Sequence, residues 1–367
     1  MNDKNISVVG IGKLGLCFSL SLESAGYNVI GVDLNEDYIR KLNQKDFFSE
    51  EPQVNEKLKK SKNFLATTDL KKSLDHSDIV FLVVATPSLP NGRYDHSQIE
   101  AVVKKIKTFG KQKIKKHLVV NCTTMPEYCE KLQKKIKKFN WTVSYNPEFI
   151  AQGTVIHNQE NPDMVLIGCN DVSAGNRIEE IYKTFTKNNP KIFKMTNTEA
   201  EICKISLNCF LTTKIAYTNM IGDIVTAAGG QPQTVLNAIG SDTRVGNKLT
   251  RYGYGFGGPC FPRDNRALGI FARQKKIKAY ISESTDKSNK DHLNFQIKQF
   301  LSSGIKEVII ESVTYKPESV LLEESQQLAF AVNLAKNGVI VTIKERTNVI
   351  DELKKKYGSL FMYITRE

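Results

Sequence analysis

The feature that most constrains the fold is Gly10-Ile-Gly12-Lys-Leu-Gly15, because of what stands on either side of it. A short apolar run, Ile6-Ser-Val-Val9, leads directly into the glycines, and a helix-compatible stretch follows to about Ala25. Gly26-Tyr-Asn reads as a turn, Val29-Ile-Gly-Val32 as a second strand, and Asp33 ends it. A strand, a glycine turn, a helix and an acidic residue about 20 positions on make a dinucleotide-binding βαβ unit. Gly10, Gly12 and Gly15 let a pyrophosphate approach the helix N-terminus, where free N–H groups and the helix dipole favour an anion. Asp33 can accept hydrogen bonds from both ribose hydroxyls and would repel a 2′-phosphate, so the expected cofactor is NAD rather than NADP.

Further strands are expected at 79–84, 118–121 and 142–145, separated by helix-like segments, the pattern of a doubly wound α/β sheet. Polar residues follow each of them: Thr86-Pro87-Ser88, Thr123-Thr124-Met-Pro126 and Asn146-Pro-Glu148-Phe149. Ligands of open parallel sheets bind at the carboxyl ends of strands, so these loops are expected over the nicotinamide; singly, each reads as an ordinary turn. Thr198-Glu-Ala-Glu201 has the spacing of a helix capping box, and the chain stays helix-compatible to about Ala228, where Gly229-Gly230 stops it. Such a helix, about 45 Å long at 1.5 Å per residue, can connect domains and pair with a second subunit. Lys204, Asn208 and Thr212 stack along one of its faces, as functional groups or as a solvated stripe.

Cys260 stands in Phe256-Gly257-Gly-Pro-Cys-Phe-Pro-Arg-Asp264. The other six cysteines read as small buried hydrophobes. Glycines before Cys260 allow close backbone approach to a ligand, and Arg263 and Asp264 place charge within a turn of the sulfur. Beside a hydride acceptor, a thiol can trap an aldehyde as a thiohemiacetal, which is oxidised to a thioester that water opens to an acid.

Composition excludes several classes. With 367 residues, 40% apolar and 25% charged, the chain is globular and long enough for two or three domains. No apolar run approaches the roughly 18 residues of a membrane span and no signal-peptide layout opens the chain, so a cytoplasmic protein away from membranes is expected. Seven cysteines without C-x-x-C spacing and five scattered histidines suit a reducing compartment and point to no metal. The net charge of +13 raises the question of nucleic acid. Its basic runs, 111–116 and 131–138, read as amphipathic helices with Ile114, Leu132 and Ile136 buried, and no aromatic residues interleave as a stacking surface would require. Solvated lysine faces are therefore expected, with a field that favours small anionic ligands.

Taken together, the motifs resemble the UDP-glucose/GDP-mannose dehydrogenases, which oxidise the C6 alcohol of a nucleotide sugar to a carboxylate with two NAD. The likeness is carried by the glycine turn, Thr123-Thr-Met-Pro126, Asn146-Pro-Glu-Phe149, Glu201-Ile-Cys-Lys204 with Asn208, and the cysteine motif, and covers residues 1 to about 290. It implies Cys260 as nucleophile, Lys204 and Asn208 as oxyanion donors, Asp264 and Thr124 as holders of water, and Glu148 as base for hydrolysis. Thr86 and Thr124 would touch the cofactor beside the glycines and Asp33. Phe149, Gly257 and Lys316, in a Tyr315-Lys316-Pro317 signature, would line the substrate. Arg244 resembles an arginine that crosses a dimer interface, and Leu249 and Arg251 lie in the loop expected over the nucleotide diphosphate. The implied architecture is a Rossmann-type NAD domain (1–196), a central helical domain whose long helix forms a homodimer (197–298), and a small α/β nucleotide-sugar domain (299–367). UDP-glucose is the expected substrate. A two-electron hydroxyacid-type dehydrogenase and an idle NAD- or nucleotide-sugar-binding protein are the alternatives.

The chain departs from the family pattern in places. Gln152 stands where a second acidic residue is common, Glu323 where many members place an arginine, and Glu311-Ser-Val313 where a glycine turn is usual. The last domain reads as a shortened lobe.

Overall fold

Apolar runs that are buried on both faces, with no polar alternation, belong in the middle of a parallel sheet covered by helices. Ile6, Ser7 and Val8 are fully enclosed, as are Ile79, Val80, Phe81 and Leu82. The computed structural model describes residues 4–150, 153–316 and 319–366. It divides into two compact units, Met1–Lys204 and Ile205–Glu367.

The first unit holds eight strands: β1 (Asn5–Val9), β2 (Asn28–Val32), β3 (Phe64–Thr67), β4 (Ile79–Leu82), β5 (Lys116–Val120), β6 (Trp141–Tyr145), β7 (Met164–Cys169) and β8 (Lys191–Met195). They form one sheet in the order β3-β2-β1-β4-β5-β6-β7-β8. All pairs are parallel except β6 with β7. The strand order reverses between β1 and β4, the switch point at which open α/β sheets bind ligands. This is the expected doubly wound sheet, with β1, β2, β4, β5 and β6 each within two residues of the expected positions.

Two local expectations are corrected. The capping box of the long helix Asn197–Ala227 sits two residues earlier than the Thr198/Glu201 spacing suggests. Thr196 N donates to Glu199 Oε2 at 2.8 Å, and Glu199 N donates back to Thr196 Oγ1 at 3.3 Å. This frees Glu201 for the interior. The basic run 111–116 is no helix: it is a loop entering β5, with Ile114 41% exposed. Leu132 and Ile136, on the helix Tyr128–Ile136, are buried as expected.

The second unit continues along the long helix and adds helices Pro232–Ser241, Phe261–Gln274 and Tyr280–Ser302. A small parallel sheet follows, ordered β11-β10-β9, built from β9 (Glu307–Ile310), β10 (Ile340–Glu345) and β11 (Met362–Thr365). Helices Gln326–Lys336 and Thr347–Tyr357 connect these strands. Their core is apolar, with Val313, Ala331, Leu334, Ile343 and Leu353 fully enclosed. Among the described residues no helix is long and apolar enough to cross a membrane.

Candidate active site

The residues expected to act fall in both units, and each group is described within its own. In the first unit, Gly10 has φ +90, and a Cβ there would collide with the Val83 carbonyl. Its N–H donates to Val32 O at 2.8 Å, tying the turn to the end of β2. Gly12 caps the helix Lys13–Ser24 without a side-chain hydrogen bond, so the first N–H groups of that helix are open to an anion. Asp33 follows β2 and accepts from Asn35 N. A cavity of about 730 Å³ is lined by apolar residues such as Val32, Leu34, Val84 and Phe109, by Gly10, and by polar groups that include the carboxylates of Asp33 and Asp69. These residues fit NAD: the cavity suits an adenosine, Asp33 its ribose, and the helix end its pyrophosphate.

The loops after β4, β5 and β6 are tied to one another. Thr86, itself buried, donates to Thr123 O at 2.8 Å, and Asn121 donates to the Asn146 carbonyl. Thr124 is fully enclosed and donates to Glu201 Oε1 at 2.9 Å, an oxygen that also accepts from Cys129 N at 2.8 Å. Burial pushes the Glu201 carboxyl up to about 7, against these hydrogen bonds. Its place in the site was hidden by its position in an apparent capping box.

Lys204 is 8% exposed, reaches the Glu148 carbonyl at 2.6 Å, and stands 4.3 Å from the centre of the Phe149 ring. The ammonium is thereby held at the mouth of the β6 loop by a carbonyl and an aromatic face. Burial raises the Glu148 carboxyl to about 7, opposed by the Lys204 charge and by the Tyr182 hydroxyl. Gln152 lies outside the described residues.

In the second unit, Cys260 caps the helix Phe261–Gln274, with its own side chain exposed. It is the one exposed cysteine of the seven. Burial pushes the thiols of Cys17, Cys122 and Cys209 up to about 12, which makes them inert packing groups at neutral pH. Cys260 stands instead at the N-terminal end of a helix, the end where the helix dipole favours negative charge. Asp264, fully enclosed one turn on, accepts from Asn208 Nδ2 at 2.6 Å and from Arg263 Nε at 3.3 Å. Thr212 accepts from Asn265 at 2.9 Å, so this face of the long helix is a bonded row rather than a solvated stripe.

The glycines before Cys260 serve close packing. Gly258 has φ +81, a Cβ there would stand 2.5 Å from the Tyr315 ring, and its N–H donates to Glu323 O at 3.0 Å. A Cβ on Gly257 would collide with Glu324 O. Arg266 forks onto the Glu324 carboxylate at 2.6 and 2.7 Å. Arg244 is exposed and forked onto Asp242. Arg251 is exposed and Lys316 half-buried, while Pro317 lies outside the described residues. Leu249 has φ +63, a left-handed conformation rare for a leucine, with its carbonyl accepting from Thr218.

Comparison with known proteins fits this geometry to a family. Residues 4–186 match the NAD binding domain, and residues 198–291 the central domain, of the UDP-glucose/GDP-mannose dehydrogenase family. The chain belongs to that family. A GDP-mannose 6-dehydrogenase of Pseudomonas aeruginosa is 30% identical over 98% of this chain and 84% of its own length. A UDP-glucose 6-dehydrogenase of the same organism is 29% identical over 92% of this chain and 77% of its own. In fold, a UDP-glucose dehydrogenase from the archaeon Pyrobaculum islandicum superposes with a TM-score of 0.88, at 24% identity, over 98% of this chain and 85% of that one. As a member of the family the chain is an NAD-dependent nucleotide-sugar dehydrogenase.

Proposed function

We propose that the protein oxidises the C6 alcohol of a UDP-sugar, UDP-glucose first among them, to the carboxylate through a covalent adduct on Cys260. The observation that carries this reading is the exposed Cys260 thiol at a helix N-terminus, one turn from an enclosed Asp264 held by Asn208. A two-electron oxidation needs no such nucleophile. The three-part division at 196/197 and 298/299 belongs to the same reading.

Bound NAD supplies the two-electron acceptor for each of the two oxidations. The Cys260 sulfur adds to the C6 aldehyde, forming a C–S bond and a tetrahedral oxyanion. In this reading Lys204 supplies positive charge and Asn208 an N–H donor to that oxyanion. After the second oxidation C6 is a thioester. A water held by Thr124 and Asp264 gives its proton to Glu148 and attacks C6, the C–S bond breaks, and the sulfur leaves as thiolate. Phe149, Gly257 and Lys316 would line the sugar, and Leu249 and Arg251 the diphosphate.

A homodimer along the long helix is part of the proposal. Phe210, Tyr217 and Ile224 stand seven residues apart on it, each more than half exposed, a spacing that lines one side of a helix. Arg244 would then reach the partner's substrate.

The test is the yield of NADH per sugar consumed across a panel of UDP- and GDP-sugars. Two per sugar with one substrate supports the reading; one per sugar, with an aldehyde product, overturns it. A pH profile follows from Glu148. A base must be ionised to take a proton, and with its carboxyl raised to about 7, the hydrolytic rate should fall as pH drops through about 7. Rapid-quench measurement of thioester loss should show this limb, and Glu148→Gln should slow hydrolysis and remove it.

A further inference from the structure

The segment 252–256, just before the glycines of the cysteine loop, has backbone groups taken up by side chains of three helices in the same unit, the first of them Gln233 on Pro232–Ser241, which accepts from Tyr252 N at 3.3 Å. Asn289, on Tyr280–Ser302, accepts from Phe256 N and donates to Phe256 O, both at 2.9 Å. Asn219, on the long helix, accepts from Gly253 N and donates to Tyr254 O, both at 3.3 Å. The Tyr252 ring lies against the long helix where Gly222 has no side chain, and its hydroxyl donates to Asp223 Oδ1 at 2.7 Å.

His292 completes this arrangement, 3% exposed. Its Nδ1 is 2.9 Å from both carboxylate oxygens of Asp223, and its Nε2 is 2.6 Å from the Gly253 carbonyl, which also accepts from Gln296 at 3.2 Å. A carboxylate and a carbonyl can only accept, and a neutral imidazole has one N–H to give. We propose that His292 is a doubly protonated imidazolium, a charged clamp that joins Asp223 to the Gly253 carbonyl and positions the loop 248–256. Among the described residues, the titratable groups recorded against the ring are Asp223 from the long helix and Tyr252 from the loop, which packs edge-on to it. Burial, with Asp223 beside it, pushes the Tyr252 phenol up to about 12, so at neutral pH it is a donor and Asp223 is the counter-charge.

A neutral ring would turn a lone pair toward either the carboxylate or the carbonyl, and one of the two contacts would be lost. His292 is a positioning residue: it holds the backbone of a loop and leaves the chemistry to others. That the loop covers the substrate diphosphate rests on the function proposed above; the clamp does not.

Two ligand-free measurements on the full chain decide it. In spectra of protein labelled with 15N-histidine, His292, assigned by its loss in His292→Gln, should show both ring nitrogens protonated at neutral pH; a neutral tautomer overturns the proposal. In hydrogen exchange, His292→Leu, which keeps bulk and removes both donors, should speed exchange of the 252–256 amides by roughly tenfold, and His292→Gln should recover part of that protection. Unchanged exchange in the leucine variant overturns the clamp. Should that variant fail to fold, Asp223→Asn, which removes the counter-charge, carries the same expectation and the same refutation. Absence of dehydrogenase turnover would refute the function and leave both results standing. With turnover, KM for the sugar should be higher in His292→Leu than in the native enzyme, with kcat little changed.

Discussion

Cys260→Ser should cut acid formation on the order of a thousandfold or more while leaving NAD affinity unchanged. The hydroxyl is close in size to the thiol, and the side chain it replaces is exposed, so packing is spared. The loop is shaped by Gly257, Gly258 and the start of the helix Phe261–Gln274, none of which the substitution touches. What is lost is a nucleophile able to hold the aldehyde for the second oxidation. The expected products are therefore at most one NADH per sugar and free or hydrated aldehyde, seen by mass spectrometry after trapping with a hydroxylamine. Two NADH per sugar from the serine variant at the native rate would end the covalent proposal.

Lys204→Met comes next in size, with kcat reduced by roughly 100- to 1,000-fold, the usual cost of removing one donor to a developing oxyanion. The substitution keeps most of the apolar stem and removes the ammonium that stands over the Phe149 ring, so a loss of this size reports charge rather than bulk. A second effect separates the two further. The Lys204 ammonium is the larger of the influences that hold the Glu148 carboxyl down against burial. Without it that carboxyl should titrate higher, and the acid limb of the hydrolysis profile should move to higher pH. A methionine variant with slowed turnover but an unmoved limb would mean that the lysine acts on the sugar alone. Native turnover in that variant would remove it from the mechanism.

Much of this was legible in the sequence, for identifiable reasons. The glycine turn between β1 and its helix was readable because only glycine fits beside the Val83 carbonyl. The buried central strands were readable because they are unbroken apolar runs. The edge strand β8, Lys191-Ile-Phe-Lys-Met195, escaped because three of its five residues are exposed or charged and it has no neighbour beyond it. β3 escaped because it is only four residues long and lies at the other edge of the sheet. Glu201 was misplaced because Thr-x-x-Glu occurs in both Thr196–Glu199 and Thr198–Glu201, and spacing alone cannot say which pair meets the solvent. The reach of Asp264 to Asn208, 56 residues apart, was readable only through resemblance. The clamp at His292 left no local trace, since it joins a helix residue to a carbonyl 39 positions earlier.

The way the cysteine loop is seated also bears on how such enzymes diversify. Gly257 and Gly258 are moulded to the Glu323 and Glu324 carbonyls and the Tyr315 ring, and Arg266 is anchored on Glu324. The C-terminal lobe is therefore not an exchangeable cassette. A graft from a relative would have to carry an aromatic ring and two backbone oxygens in the same places, or it would change the footing of the Cys260 loop along with the lobe. Selection for a new sugar in this lineage should accordingly act through point changes around the seat, and recombination at residue 299 should be a poor route to new chemistry.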